Sequence, residues 1–467
     1  MVKSRRWGCD SPMDGCLSRT AGRKMKKIRK SREMLMNRWR LGVGLGLVAM
    51  TGCVLAAGDL DDLLDVAKPA DSGVGLHGFA EFSAARAYNS PSYWSKLRGR
   101  LNLESSGRLS EKVKWKLSGR FDADAAPDIE SDVYSSDVRR DRRSEATIRE
   151  AYLDISAGNW DYRLGRQHIV WGEMVGLFFA DVVSARDTRE FFLPEFDQMR
   201  IPQWAARAEY FGDGWHGELL WIPVASVDNI GKPGGEFYPF AADGARFEGE
   251  DRPDQRLGNM NWGTRLSALI SGWDVSGFFY RSTDTAPTFY RTSVAPLTFE
   301  ARHDRINQIG ATFSKDMGRF VLKGEAVHTA GRQFNTTDFT APNGLVASDT
   351  LDYVVGVDVP IGQVWRVNTQ YYARRYLNHR EGLVWDKSEE GATLLVNRQF
   401  GDDLEAEVLL VSSLNGGGYM LRPKVVWQMD ANWRGTAGLD VFGGPELGVF
   451  GRFDRSDRAY VEVRRAF

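Results

Sequence analysis

The stretch Lys112–Ala123, KVKWKLSGRFDA, alternates between apolar and polar side chains. One set of alternate positions is apolar and contains Val113, Trp115, Leu117 and Phe121. The other set is polar and contains Lys112, Lys114, Lys116, Ser118, Arg120 and Asp122. A period of two residues places the two sets on opposite faces of a β-strand. The stretch therefore predicts a strand with one apolar and one polar face.

The same alternation recurs after about residue 74 in strands of about ten residues, the usual length in a transmembrane barrel. We predict eighteen strands, at 76–86, 96–106, 112–123, 147–157, 160–169, 204–211, 215–224, 260–270, 272–282, 305–316, 319–330, 350–359, 363–376, 391–400, 404–413, 419–429, 432–442 and 458–467. Short turns alternate with long connections at 124–146, 170–203, 225–259, 283–304, 331–349 and 377–390. Transmembrane barrels alternate short periplasmic turns with long outer loops in this way. The sequence thus predicts an all-β fold, a transmembrane antiparallel β-barrel of 16–18 strands over residues 74–467.

The predicted last strand, Arg458 to Phe467, ends the chain on an aromatic residue. An even strand count requires 443–457 to lie in the last outer loop, since bacterial barrels of one chain have even numbers of strands. We interpret Phe467 as a signal for the barrel assembly machinery. Arg465 interrupts the apolar face just before the end.

The composition excludes a helical membrane protein. The chain has 467 residues, 26% of them charged, and a mean hydropathy of -0.38. Beyond the N-terminal region no apolar run approaches the roughly 20 residues of a membrane helix. A barrel is compatible with these values because lipid-facing and lumen-facing residues alternate along its strands.

Residues 1–57 have the composition of an export signal. Thirteen basic residues and three acidic ones precede the uncharged run Leu41 to Ala57, which ends in small residues suited to cleavage. We expect 1–57 to be removed and 58–73 to form a short periplasmic segment. Lipidation of Cys53 is the alternative, and Met25, Met34 and Met36 are alternative start sites.

Removal of residues 1–57 leaves 48 basic against 59 acidic residues, a net charge near -11. A chain so acidic is not expected to bind nucleic acid. The expected partners are outer-membrane lipids and lipopolysaccharide, the assembly machinery, and a transport partner in the inner membrane or periplasm.

A family resemblance rests on the motif Gly165-Arg166-Gln167 followed by Val170-Trp171-Gly172-Glu173. Asp181-Val182-Val183-Ser184 and then Asp187, Arg189 and Phe191 continue it. The chain resembles an uncharacterised family of proteobacterial porin-like outer-membrane proteins, although Ser184-Ala185 replaces the Asn-Pro of the family pattern. The resemblance implies a barrel and leaves the substrate open.

Two regions are candidates for the functional site. The first is a basic pore wall that would favour anions, made of Lys96, Arg98, Arg100, Lys112, Lys114, Lys116 and Arg120. The second is the long connection 170–203, which mixes apolar and charged residues and therefore suits a loop folded into the lumen. Its constriction candidates are Arg166, Glu173, Asp181, Arg186, Asp187, Arg189 and Glu190.

The predicted function is a porin-like outer-membrane channel for small solutes, narrowed by this loop and working without a cofactor or a metal. The six histidines are scattered without a readable catalytic partner, so we do not predict an enzyme. Two alternatives stay open. One is a specific channel or exporter for a hydrophobic or lipid-like molecule, and the other is a closed barrel with an enzymatic or adhesive role.

Overall fold

The computed structural model describes residues 75–172, 174, 179–239, 244–254, 256–446 and 448–467. The export signal, the segment 58–73 and Cys53 lie outside these residues. One sheet contains eighteen of the described strands. In chain order, β1 to β18 are Gly75–Ala87, Tyr93–Ser110, Val113–Asp124, Ser144–Ala157, Trp160–Gln167, Gln203–Phe211, Trp215–Val224, Asn261–Ile270, Trp273–Thr283, Arg305–Asp316, Val321–Ala330, Thr350–Ile361, Trp365–Tyr376, Ser388–Phe400, Leu404–Ser413, Tyr419–Gln428, Trp433–Gly443 and Arg458–Ala466.

Each of these strands pairs antiparallel with its neighbours in the chain, and β1 also pairs with β18. The closing pair aligns Glu81 with Arg464 and continues to the chain end. There the amide N–H groups of Gly78 and Phe467 each donate to the other's carbonyl oxygen at 2.9 Å. The sheet is therefore a closed eighteen-stranded antiparallel β-barrel, which confirms the predicted fold class.

Short turns and longer loops alternate around the barrel as predicted. The turn between β8 and β9 contains only Ser271 and Gly272, both with positive φ, as a two-residue hairpin requires. Residues 444–457 join β17 to β18 and contain the 3-10 helix Gly451–Ser456. This confirms their place in the last loop rather than in the wall.

The strand register separates an apolar outer face from a polar inner face. Outward-facing side chains include Leu117, Leu219, Leu266 and Ile309, which are between 51% and 60% exposed. Inward-facing Glu81 and its partner Arg464 form an ion pair of 2.6 Å. An apolar exterior around a polar lumen is the pattern of barrels that contact lipid.

Several long loops carry their own secondary structure. The loop after β3 contains the helices α1, Ala126–Ile129, and α2, Ser136–Arg143. Arg143 of α2 binds Asp128 with two hydrogen bonds of 2.8 Å, so the acidic and basic groups of this loop pair with each other. A three-stranded sheet joins Arg246–Asp251, Thr288–Val294 and Leu297–Arg302. None of the described helices is long and apolar enough to cross a membrane.

Candidate functional site

The described residues of the connection between β5 and β6 lie inside the barrel. The connection covers residues 168–202, against the predicted 170–203, and is called the lumen loop. Its described residues contact inward-facing side chains on opposite sides of the wall. It contains the short strands Ala185–Arg186 and Arg200–Ile201, which pair with each other, and the helix α3, Phe196–Met199.

The first part of the lumen loop packs on an apolar sector of the inner wall. This cluster is buried and consists of Ile169, Trp171, Ala180, Val183, Ala205, Leu220, Ile222, Phe278, Tyr280 and Val327. The Trp171 side chain is 1% exposed, and its indole N–H donates to Glu218 at 3.0 Å. These lumen positions on β6 to β11 are apolar. The lumen loop covers their side chains and shields them from water.

Glu325 of β11 holds the same part of the loop through its backbone. The carboxylate accepts the N–H groups of Met174, Phe179 and Ala180 at 3.0, 2.9 and 2.8 Å. Hydrogen bonds to an ionised acceptor are about twice as strong as neutral ones. Glu325 is therefore a strong anchor on this side of the lumen.

Glu190 anchors the other side of the lumen loop. Its carboxylate forms ion pairs with Lys96, with Arg98 at 2.7 Å and with Arg458 at 3.3 Å. Burial alone would raise the pKa of Glu190, but these three cations hold the pKa well below its usual range. The loop is thus tied to β2 and β18, the strands on either side of β1.

A further set of contacts ties the loop to β16 and β17. Arg422 donates to the carbonyl oxygen of Leu193 at 2.7 Å, and Lys424 pairs with Glu195 at 3.2 Å. Phe191 has a φ of 54° and packs its ring against Phe442, with ring centroids 6.1 Å apart. The loop therefore reaches nearly the whole circumference of the barrel.

Between these anchors, the wall of β2 to β4 presents arginines to the end of the lumen loop. Arg100 makes two hydrogen bonds to Asp122, at 2.7 and 3.1 Å, and Arg120 shares the same carboxylate at 3.1 Å. Arg120 also donates to the carbonyl oxygen of Gln198 at 2.9 Å. The cavity between this wall and the loop is lined by charged residues of both signs, Arg98, Arg100, Arg120, Asp122, Asp124, Arg142, Glu145, Asp187, Arg189 and Glu190, together with Pro194, Gln198 and Met199.

The predicted basic wall divides into two parts. Lys96, Arg98, Arg100 and Arg120 lie beside the lumen loop, as described above. Lys112 and Lys114 are exposed near the β2–β3 turn, and Lys116 is paired with Glu104 and Glu150 at 3.1 and 2.9 Å. Only the first part therefore belongs to the candidate site.

The predicted loop residues Asp181, Arg186, Asp187 and Arg189 all belong to the lumen loop. Asp181 pairs with Arg200 at 3.0 Å, and Arg186 donates to the Asp181 carbonyl oxygen at 3.1 Å. Arg189 pairs with Asp187 and also with Glu145 of β4, both at 2.6 Å. These pairs brace the loop from within and against the wall.

Arg166, one of the predicted constriction residues, faces away from the lumen. The register sets Arg166 opposite Ala151 and Trp204, and Trp204 faces outward with 43% of its surface exposed. Arg166 therefore belongs to the outward-facing set of β5, because side chains alternate along a strand. Glu173 lies outside the described residues.

Sequence reasoning missed Glu325 and Arg149. Glu325 is a single acidic residue on a strand, 145 residues away from its partner Ala180. Arg149 is buried on the inner wall and donates to the carbonyl oxygen of Asp197 at 2.7 Å. A run of apolar residues at lumen positions, such as Phe278 and Tyr280, was the available signal that something covers the wall.

Comparisons with known proteins give a family and several similar folds. OmpF of Salmonella typhi, in complex with daunomycin, is 10% identical with a TM-score of 0.44, covering 84% of this chain and 97% of that chain. OccK2 of Pseudomonas aeruginosa, in complex with glucuronate, is 8% identical with a TM-score of 0.48, covering 86% and 99%. No curated protein matches the sequence. The family model covers residues 83–464, and the chain belongs to the family described as protein of unknown function (DUF1302).

Proposed function

We propose that this protein is an outer-membrane channel for small solutes, in which the lumen loop narrows the path of diffusion. The observation that carries the proposal is the position of the loop, anchored by Glu325 on one side of the lumen and by Glu190 on the other. Barrels of 16–18 strands are wide enough for an aqueous channel. A loop held across such a lumen narrows the channel without closing it.

The apolar exterior supports a location in the outer membrane, with lipids and lipopolysaccharide as contacts. We further propose that assembly machinery recognises the last strand through Phe467. We still predict a transport partner in the inner membrane or periplasm. We also still predict the absence of a cofactor, of enzymatic activity and of nucleic-acid binding.

The packing of the loop favours small polar solutes over a hydrophobic cargo. Trp171 and Val183 are 1% and 0% exposed, so these apolar side chains of the loop face the wall. Ionic groups such as Arg98 and Asp122 line the cavity beside the loop. A polar path therefore agrees better with the described residues than a lipid path.

Single-channel recording in planar bilayers tests the proposal. We expect small ion-selective steps for the wild-type protein and larger steps for the double variant Glu190→Gln/Glu325→Gln, whose loop has lost both anchors. Heat-modifiable migration on a gel verifies that both proteins are folded barrels. If neither folded protein conducts, the channel proposal is wrong, and a closed barrel with an enzymatic or adhesive role takes its place.

A further inference from the structure

Three arginines lie on adjacent strands of the inner wall where it faces the end of the lumen loop. Arg100, Arg120 and Arg149 belong to β2, β3 and β4, and their exposed fractions are only 7%, 6% and 8%. Arg100 and Arg120 share the carboxylate of Asp122. Arg149 pairs with no carboxylate within 4.0 Å among the described residues. We call these three residues the arginine cluster.

A buried cation without an anion is expensive, because its desolvation is not offset by charge pairing. The arginine cluster has three positive charges and one shared carboxylate, Asp122. Among the described residues, Arg149 donates to the neutral carbonyl oxygen of Asp197 at 2.7 Å. The carboxylates of Asp197 and Glu150 act on Arg149 from beyond ion-pair distance. The charge balance of the cluster is therefore incomplete by itself, and a bound anion would complete it.

A β-bulge directs Arg149 towards this cluster. The register of β3 and β4 shifts between Ser118, which faces Glu150, and Gly119, which faces Ile148. Arg149 is the additional residue on β4. Bulges of this kind re-aim a side chain and are common next to functional sites.

The contacts between the cluster and the lumen loop are weaker than the anchors of the loop. Arg120 donates to the carbonyl oxygen of Gln198 at 2.9 Å, and Arg100 donates to its side-chain oxygen at 3.2 Å. These acceptors are neutral, whereas Glu190 and Glu325 are charged. A guanidinium group binds a carboxylate or phosphate more strongly, with two parallel hydrogen bonds. An oxyanion can thus displace the loop oxygens from the cluster.

We propose that the arginine cluster binds an oxyanion group, a carboxylate or a phosphate, of the transported solute in place of the loop oxygens of Asp197 and Gln198. The cavity between the wall and the loop, lined by Arg100, Arg120 and Gln198, gives the group access. This inference rests on the proposed channel function and names its substrate class. Binding would release α3 from the wall while Glu190 and Glu325 keep the loop in the lumen.

Isothermal titration of the purified, folded protein with succinate and with inorganic phosphate tests this site. We expect at least one of the two to bind, and Arg149→Gln to weaken that binding at least tenfold. Arg366→Gln is the matched control, because Arg366 also faces the lumen but pairs with Asp358 at 2.6 Å, away from the loop. Comparing the two probes distinguishes a carboxylate site from a phosphate site.

A second readout separates ligand binding from a purely structural role of Arg149. The bound oxyanion should increase tryptic cleavage of the lumen loop in the wild type and leave Arg149→Gln unchanged. The inference is wrong if neither probe binds the wild type, if Arg149→Gln binds as tightly as the wild type, or if Arg366→Gln weakens binding equally. Conductance without oxyanion binding contradicts only this inference, whereas binding without conductance contradicts only the channel.

Discussion

Glu190 and Arg458 are 268 residues apart in the chain and form an ion pair of 3.3 Å across the lumen face of β18. Lys96 and Arg98 complete the set of cations around the Glu190 carboxylate. In this arrangement, one anion neutralises part of the charge of three cations.

Glu190→Gln should make the channel more selective for anions and increase its conductance. The variant leaves Lys96, Arg98 and Arg458 without their shared carboxylate and weakens the hold on the loop. The measurement is the reversal potential and step size in a KCl gradient. Asp358→Asn is the control, since Asp358 lies on the inner wall of β12 and pairs with Arg366 of β13 at 2.6 Å rather than with the lumen loop. Equal shifts in both variants would argue against a special role of Glu190.

Glu325→Gln should free the first part of the lumen loop. The amide has a donor where the carboxylate accepted backbone N–H groups, and each lost bond to a charged acceptor costs about 1.5–3 kcal/mol. Trypsin should then cleave faster after loop residues Arg186, Arg189 and Arg200. Glu407→Gln, on the inner wall of β15, is the control. Unchanged cleavage would show that Glu325 does not hold the loop.

Gly263→Ala should disturb the packing of Trp171. A Cβ atom at Gly263 would lie 2.8 Å from the Trp171 ring and 2.8 Å from the carbonyl oxygen of Phe279. Overpacking of this kind costs about 1–3 kcal/mol, which denaturant unfolding would detect. At Gly277 the nearest atom would be 3.9 Å away, so Gly277→Ala should change the unfolding midpoint much less. Similar effects of both variants would contradict this reasoning.

Asp228→Asn should stabilise the protein at high pH. Burial raises the pKa of Asp228 to about 6, although Arg186 acts in the opposite direction. Because the pKa in the folded state is raised, stability present below about pH 4 is lost as the pH rises through 6. The asparagine avoids this loss, a gain of about 3 kcal/mol at pH 8 that falls to a small fraction of this value at pH 4.

Denaturant unfolding at both pH values measures the effect, and the exposed turn residue Asp213 supplies the control Asp213→Asn. The asparagine at 228 should still accept the backbone N–H of Arg186, which lies 2.8 Å from the Asp228 carboxylate. A gain that does not depend on pH would contradict the assignment to ionisation.

Phe467→Ala should lower the amount of folded barrel in the outer membrane of cells. The variant keeps the backbone pairing between residue 467 and Gly78 but removes the aromatic ring. Refolding of the purified protein in detergent should therefore be little changed. Heat-modifiable migration of both preparations is the measurement, and normal amounts in cells would remove Phe467 as an assembly signal.

The fold was predictable from the sequence because its signals are local. Alternation in stretches such as Lys112–Ala123, together with glycine turns such as Gly212-Asp213-Gly214, defines each strand and its neighbour. The even strand count then placed 443–457 in a loop. Such signals do not depend on contacts between distant parts of the chain.

The candidate site was predictable only in outline. The length and apolar content of 170–203 indicated a loop in the lumen, but the partners of the loop are distant in sequence. Glu325 and Arg149 become recognisable only when the register and the bulge are known. Arg166 falls on the outer face because it lies one position away from the inward-facing set of β5.

The apolar sector under Trp171 couples substitutions in the wall to substitutions in the lumen loop. Phe278 and Val327 are favourable at lumen positions only while loop residues shield them from water. Substitutions in β9 and β11 are therefore constrained by residues more than a hundred positions earlier. Among related sequences, we expect the identities at 171, 278 and 327 to vary together. Loop and wall would then have evolved as one packing unit.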